Sequence, residues 1–115
     1  MRRGEVRLVD LDPVRGSEAS KRRPAVLVSN DQANATADRL GRGVVTVVPV
    51  TSNVERVFPF QALIPAAVSG LRVDSKAQAE QIRSVAVERI GPVLGRVPLD
   101  LMRDIDKALR VHLGL

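Results

Sequence analysis

The sequence has no cysteine, no tryptophan and no tyrosine, and its one histidine is His112. Without cysteine there can be no disulfide, no thiolate nucleophile and no cysteine-based metal site. A single imidazole excludes a histidine-rich metal centre and a two-histidine nuclease. Rings are nearly missing as well: aromatics make up 2% of the chain, and Phe58 and Phe60 are the only ones. A protein that holds single strands by stacking bases on rings would have only those two to use. The longest apolar stretch, around Val44–Val50, is far too short to span a bilayer. No signal-type segment follows Arg2 and Arg3, because Glu5, Arg7 and Asp10 interrupt it. The expectation is a soluble, cytoplasmic protein with no membrane partner and no metal or other cofactor.

What is present is aliphatic and basic. A chain of 115 residues suits one domain, taken as residues 1–115. Hydrophobic residues make up 44% of it, nearly all Val, Ile, Leu and Ala, enough for a real core. The net charge is +5, and the 18 basic residues divide into 15 Arg and 3 Lys. Arginine suits a planar, bidentate grip on phosphate or carboxylate, although GC-rich coding would produce the same ratio. The surplus charge points to a polyanionic or acidic partner, with nucleic acid the first candidate.

Periodicity outlines the elements. GEVRLVDLDP (4–13) alternates, with Val6 and Leu8 on one face and Glu5, Arg7 and Val9 on the other, and reads as a strand ended by Pro13. The polar stretch 14–23 reads as a loop, and the apolar run 24–29 as a buried strand. Residues 30–41, with Asn30 or Asp31 as a cap and Gly41 as a stop, read as a short helix or an ordered loop. RGVVTVVPVTS (42–52) is the strongest strand signal, and Pro49 within it predicts an edge or a bulge. Two or three strands follow in 58–65 and 71–85, and another in Pro92–Val97 between glycines. At the end, Met102, Ile105, Leu109 and Leu113 recur at helical spacing, with Pro98 at the first helical position. Asp106 and Arg110 are placed to pair along that helix, and His112 suits its negative end. The sum is a mainly β (α+β) chain: a small antiparallel barrel plugged or flanked by a C-terminal amphipathic helix.

Three polar clusters stand at strand ends. In the first, Gly16, Ser17 and Glu18 precede Lys21, Arg22, Arg23 and Pro24. Pro24 restricts Arg23 to extended backbone, which suits a phosphate clamp; a charged edge that blocks strand pairing reads equally well. In the second, Thr51 and Ser52 follow a proline-containing strand. Their hydroxyls can donate to a phosphate or close a local turn. In the third, alternation places Gln81 and Arg83 on one face, where they either read an RNA base edge and hold phosphate or simply build a surface.

Taken together these segments resemble the MazF/PemK-type toxins, the ribosome-independent mRNA interferases of type II toxin–antitoxin modules. Gly4, Glu5, Asp10 or Asp12, Pro13, Gly16, Ser17, Glu18, Arg23 and Pro24 fall in register with the family's N-terminal signature. VVPVTSN is similar to its second motif, AEQIRSV to its third, and the terminal helix to its end. The resemblance spans essentially the whole chain. Where many relatives have an aromatic near position 7, this chain has Arg7.

The resemblance implies an SH3-like barrel of the PemK/CcdB type, acting as a homodimer. It implies metal-independent, sequence-specific cleavage of single-stranded RNA, in which the ribose 2′-hydroxyl attacks the adjacent phosphorus to leave a cyclic phosphate and a 5′-hydroxyl. Carried over by motif, Arg23 is the catalytic acid/base and Thr51 stabilises the developing charge. Ser17, Glu18, Lys21, Arg22, Ser52, Gln81 and Arg83 would bind or support the RNA. An arginine, with a side-chain pKa above about 12, is ordinarily a poor base, so the residues by themselves support electrostatic stabilisation, and Glu18 is the alternative proton acceptor. The implied partner is a MazE-like antitoxin with an acidic, partly disordered tail. Two other readings stand beside this one: a CcdB-like toxin that binds DNA gyrase and cuts nothing, and a non-catalytic RNA-binding barrel.

Overall fold

A computed structural model describes residues 1–13, 15–19 and 21–115. Val14 and Ser20, both in the expected 14–23 loop, lie outside the described residues. The elements in order are β1 (Glu5–Asp10), β2 (Arg22–Leu27), α1 (Asp31–Leu40), β3 (Val44–Thr51), β4 (Gln61–Ile64), α2 (Ala66–Ser69), β5 (Ser75–Gln78), β6 (Arg83–Ala86), β7 (Ile90–Arg96) and α3 (Leu99–Leu113). All recorded strand pairs are antiparallel, in the order β4-β5-β3-β2-β1-β7, with β6 also on β3. The mainly β class with a C-terminal helix is as expected. The sheet is open: among the described residues nothing pairs β4 with β7.

The unbroken apolar runs of β2 and β3 have a simple cause, which is that both faces of the sheet are covered. One core gathers Val26, Val28, Val48 and Val50 with Met102 and Ile105 of α3. The other gathers Ala25, Leu27, Val45 and Val47 with Ala37 of α1. Alternate residues of each strand therefore go to opposite cores. β1 does the same by a less regular route. Val6 and Val9 are both fully buried, one in each core. Register shifts against β7 between Val6 and Arg7, and between Arg7 and Val9, turn the strand and break the simple alternation.

Pro49 does not lie at an edge. It is fully buried in β3, the strand with most neighbours. The Thr46 N–H donates to Ser29 Oγ and its carbonyl accepts from Val28 N at 2.9 Å, so Thr46 faces the β2 side. Alternation then turns Pro49 to the opposite side. There the partner changes from β6, paired through Val44–Val47, to β5, paired from Val50. The missing N–H falls in the gap between two partners, so no ladder bond is lost.

Residues 31–40 are helix, not loop. Asn30 Oδ1 accepts from Ala33 N at 2.8 Å and Gly41 closes the helix at φ 66°. Asn34, fully buried, fastens this helix down by donating to the Ser29 carbonyl at 2.8 Å. At the other end, Pro98 is the cap of α3 and not its first residue. Asp106 pairs with Arg3, whose Nε also donates to the Val28 carbonyl at 2.8 Å, and not with Arg110. A tertiary partner that also holds a carbonyl outcompetes the exposed helix neighbour. His112 is exposed in the last turn of α3.

Candidate nucleic-acid interface

β2 starts two residues before the apolar run, so Arg22 and Arg23 are strand residues, opposite Asp10 and Val9 of β1. Against β3 the register runs Leu27↔Val47, Val26↔Val48, Ala25↔Pro49. Continued by two residues, that register sets Arg23 opposite Thr51. Both residues line the same cleft of about 450 Å³. Lys21, Arg22, Ser52 and Arg72 line it too, and no Asp or Glu does. Four cations around one concavity repel one another in the empty protein, and an anion relieves that repulsion. Thr51 Oγ1 accepts from Asn53 N at 3.3 Å, a local turn that leaves the hydroxyl proton for an acceptor in the cleft.

Lys21 reaches the cleft through an uncommon backbone. Its φ is 66°, a left-handed conformation that costs a non-glycine residue on the order of 1 kcal/mol or more. Both of its backbone groups are held: Lys21 N donates to Asp12 Oδ1 at 2.8 Å and its carbonyl accepts from Leu11 N at 3.0 Å.

The remaining residues singled out from sequence sit elsewhere. Ser17, Glu18, Gln81 and Arg83 are not part of the cleft lining. Gln81 does not lie on an extended strand with Arg83, because Ala79–Gln81 form a 3-10 turn. Its side chain accepts from Ala19 N and donates to the Ser17 carbonyl, both at 3.0 Å. Arg83 donates to the Leu11 carbonyl at 3.1 Å. Glu18 Oε1 accepts from Arg15 N at 2.9 Å. These side chains hold the β1–β2 connection through Leu11, Arg15, Ser17 and Ala19.

Sequence reasoning missed the opposite wall. Gly70, Leu71, Arg72 and Val73 come from the turn before β5, Ser75 is the first residue of β5, and Leu94 comes from β7. Nothing local marks them, since they face Arg23 only because the sheet curls. Lys76 was missed as well. It is buried at 7% exposure, and its ammonium donates to the Arg56 carbonyl, holding the loop that follows Thr51. The two rings are already occupied. Phe58 and Phe60 stack with centroids 5.2 Å apart, and Arg56 lies 5.0 Å from the Phe58 centroid. Arg7, in place of an aromatic, pairs with Glu5 at 2.9 Å and donates to the Gly91 carbonyl at 3.0 Å. Burial acts to raise the Glu5 carboxyl, but hydrogen bonds from Arg2 N and Arg7, with the Arg7 charge, hold it below its ordinary value. Among the described residues no group of three or more His, Asp or Glu is placed to hold a metal ion. None of the described helices is long and apolar enough to cross a membrane.

The chain as a whole matches a known family. The PemK-like, MazF-like toxins of type II toxin–antitoxin systems match over residues 2–113. The chain belongs to this family. It is 64% identical over 115 residues to Endoribonuclease MazF9 of Mycobacterium tuberculosis (strain ATCC 25618 / H37Rv), covering 100% of this chain and 98% of that protein. An endoribonuclease from a mycobacterial species, solved in complex with its cognate antitoxin, is 26% identical with a TM-score of 0.75, over 100% of this chain and 96% of that one. MazF from Deinococcus radiodurans is 25% identical with a TM-score of 0.78, over 100% and 97%. The open, curled sheet with its terminal helix is thus the fold of the MazF toxins.

Proposed function

We propose that this protein is the toxin of a type II toxin–antitoxin module, an endoribonuclease that cuts single-stranded mRNA at a short recurring sequence. The observation that carries the reading is the cleft: Arg23 and Thr51, from adjacent strands, line it with three further cations and no carboxylate. The 64% identity to an endoribonuclease over the full chain supports the same reading.

In the proposed reaction the 2′-oxygen of one nucleotide attacks the adjacent phosphorus. The bond to the 5′-oxygen breaks, leaving a 2′,3′-cyclic phosphate and a 5′-hydroxyl. The charge that builds on the phosphoryl oxygens needs donors already aimed at it. The Arg23 guanidinium and the Thr51 hydroxyl supply them. The Arg23 guanidinium gives a proton to the leaving 5′-oxygen and is recharged by the proton that the 2′-hydroxyl releases, so that one proton passes from the 2′- to the 5′-oxygen overall. Glu18, outside the cleft lining with Oε1 engaged by Arg15 N, is less well placed to move a proton. Lys21, Arg22 and Ser52 hold neighbouring backbone. Ser17, Gln81 and Arg83 support the loop that carries Lys21.

The protein acts in the cytoplasm, where mRNA is, as a homodimer. An acidic segment of a MazE-like antitoxin silences it by covering the same cations; a mycobacterial relative has been solved in complex with its cognate antitoxin. The test is incubation of purified protein with a long RNA in EDTA, with both new ends mapped. Cuts at a recurring short sequence, with cyclic phosphate and 5′-hydroxyl termini, are expected. Intact RNA together with tight binding of purified DNA gyrase would overturn the reading in favour of a gyrase poison.

A further inference from the structure

The wall of the cleft opposite Arg23 has no part in the reaction as drawn. α2 ends at Gly70, φ 79°, and the chain turns through Leu71, Arg72 and Val73 into β5. This turn is braced from within. Ser69 Oγ donates to the Pro65 carbonyl at 2.9 Å and accepts from Leu71 N at 3.2 Å. Asp74 Oδ1 accepts from Ala66 N at 2.9 Å, and Ser75 Oγ donates to the Val73 carbonyl at 3.0 Å. The turn is pressed against β7 at Gly95, where an added Cβ would lie 2.4 Å from the Ser69 carbonyl oxygen. That close approach sets Leu94 in the same wall as Leu71 and Val73. Val73 and Leu94 remain 54% and 39% exposed, an apolar surface left open to water on a rigid frame. Arg72 is exposed, and among the described residues it enters none of the ion pairs.

We propose that this wall is a nucleotide subsite: Leu71, Val73 and Leu94 take the face of one nucleobase, and Arg72 holds a backbone phosphate other than the one at Arg23. The proposal rests on the RNA reading above and deepens it. A nucleotide joins a flat, poorly hydrated face to an anion, and the wall offers an aliphatic surface beside a cation. A carboxylate-rich peptide would need the cation but not the aliphatic surface. Aliphatic side chains take the role that rings have in other single-strand binders, because this chain has only Phe58 and Phe60, which stack on each other.

The test uses a fluorescent 2′-O-methyl RNA of mixed sequence, about twelve nucleotides long, which lacks the attacking hydroxyl and stays whole. Binding is followed by anisotropy across a range of salt. Arg72→Ala is expected to weaken binding about three- to tenfold and to flatten the log–log salt slope by about 0.7, the share of one phosphate contact on a single strand. Arg72→Lys restores the slope. Leu94→Ala weakens binding by a similar factor with the slope unchanged, because an apolar contact is not screened by salt. Arg103→Ala, exposed on α3 and equal in charge change, alters neither. An Arg72→Ala protein that behaves like Arg103→Ala overturns the subsite, as does a Leu94→Ala protein that binds like wild type. Loss of affinity for polyglutamate but not for the RNA would assign the wall to an acidic protein and also overturn it. Because the probe cannot be cut, a wild type that shows these signatures yet leaves ordinary RNA intact defeats the cleavage reading alone.

Discussion

Arg23 and Arg83 both stand near strand ends, and sequence marked both as RNA contacts, yet the fold uses them in opposite ways. Arg23 lines an open cleft beside Thr51. Arg83 points back into its own protein and donates to the Leu11 carbonyl. Gln81 repeats the second pattern by filling the gap at Ser17 and Ala19. One region gathers cations and a hydroxyl around an open cleft, and the other spends its donors on backbone oxygens. Residue type is the same in both, so what separates the two is where the side chain ends: in the lining of a carboxylate-free cleft for Arg23, on a backbone carbonyl for Arg83.

The two regions should therefore fail differently. The largest effect is expected from Arg23→Ala, which should lower kcat by about 10²- to 10³-fold with the fold intact. Arg23→Lys keeps the charge without the planar fork and should fall in between. Single-turnover cleavage beside a thermal melt checks both, and full activity of Arg23→Ala would remove the distinction between the regions. Thr51→Val should cost about ten- to a hundredfold in kcat, the worth of one hydrogen bond to a charged group, with RNA affinity near that of wild type.

Arg83→Ala should show the reverse signature: a loss of about 1–3 kcal/mol of stability, the range for a buried carbonyl left unpaired, with activity per folded molecule within about threefold. Denaturant melts and active-site-normalised rates separate the two quantities. Rates that drop more than tenfold on an unchanged melt would place Arg83 on the RNA after all. The smallest effect concerns Glu5, far from this contrast in kind. Its folded carboxyl titrates below the ordinary value of 4.5. The sign follows directly: its contribution to stability is present above about pH 4.5 and is lost as pH falls through the lower folded value. Glu5→Gln should flatten that acid limb of the stability curve, and an unchanged limb would show that the Glu5–Arg7 pair contributes nothing.

Much of the fold was legible because it rests on local chemistry. The runs AVLV and VVTVV read as strands, Asn30 or Asp31 with Gly41 bounds a short helix or an ordered loop, and Met102, Ile105 and Leu109 recur at helical spacing. The misreadings share a cause. Pro49 reads as an edge or a bulge, because sequence does not show that β3 changes partners where the proline falls. Asp106 was given to Arg110 because Arg3 is distant in sequence and near only after folding. Gln81 and Arg83 were read on one strand face because a 3-10 turn leaves no strong mark in a short polar stretch. At the cleft, the near wall carried motif residues and could be named. The far wall, Leu71 to Val73 with Leu94, carried none.

By itself the sequence determined a basic, aliphatic, cysteine-free chain whose strands and helices follow from residue periodicity and capping, and its resemblance to the MazF/PemK toxins singled out Arg23 and Thr51. Those properties reside in neighbours along the chain, within the reach of a turn or a proline. Tertiary structure alone decided that Arg23 lies across from Thr51, that Arg83 and Gln81 are spent on backbone, and that a braced aliphatic turn bearing Arg72 faces them. Each of those depends on which acceptors the curl of the sheet brings within about 3 Å of a donor, and that distance is not encoded by any one segment.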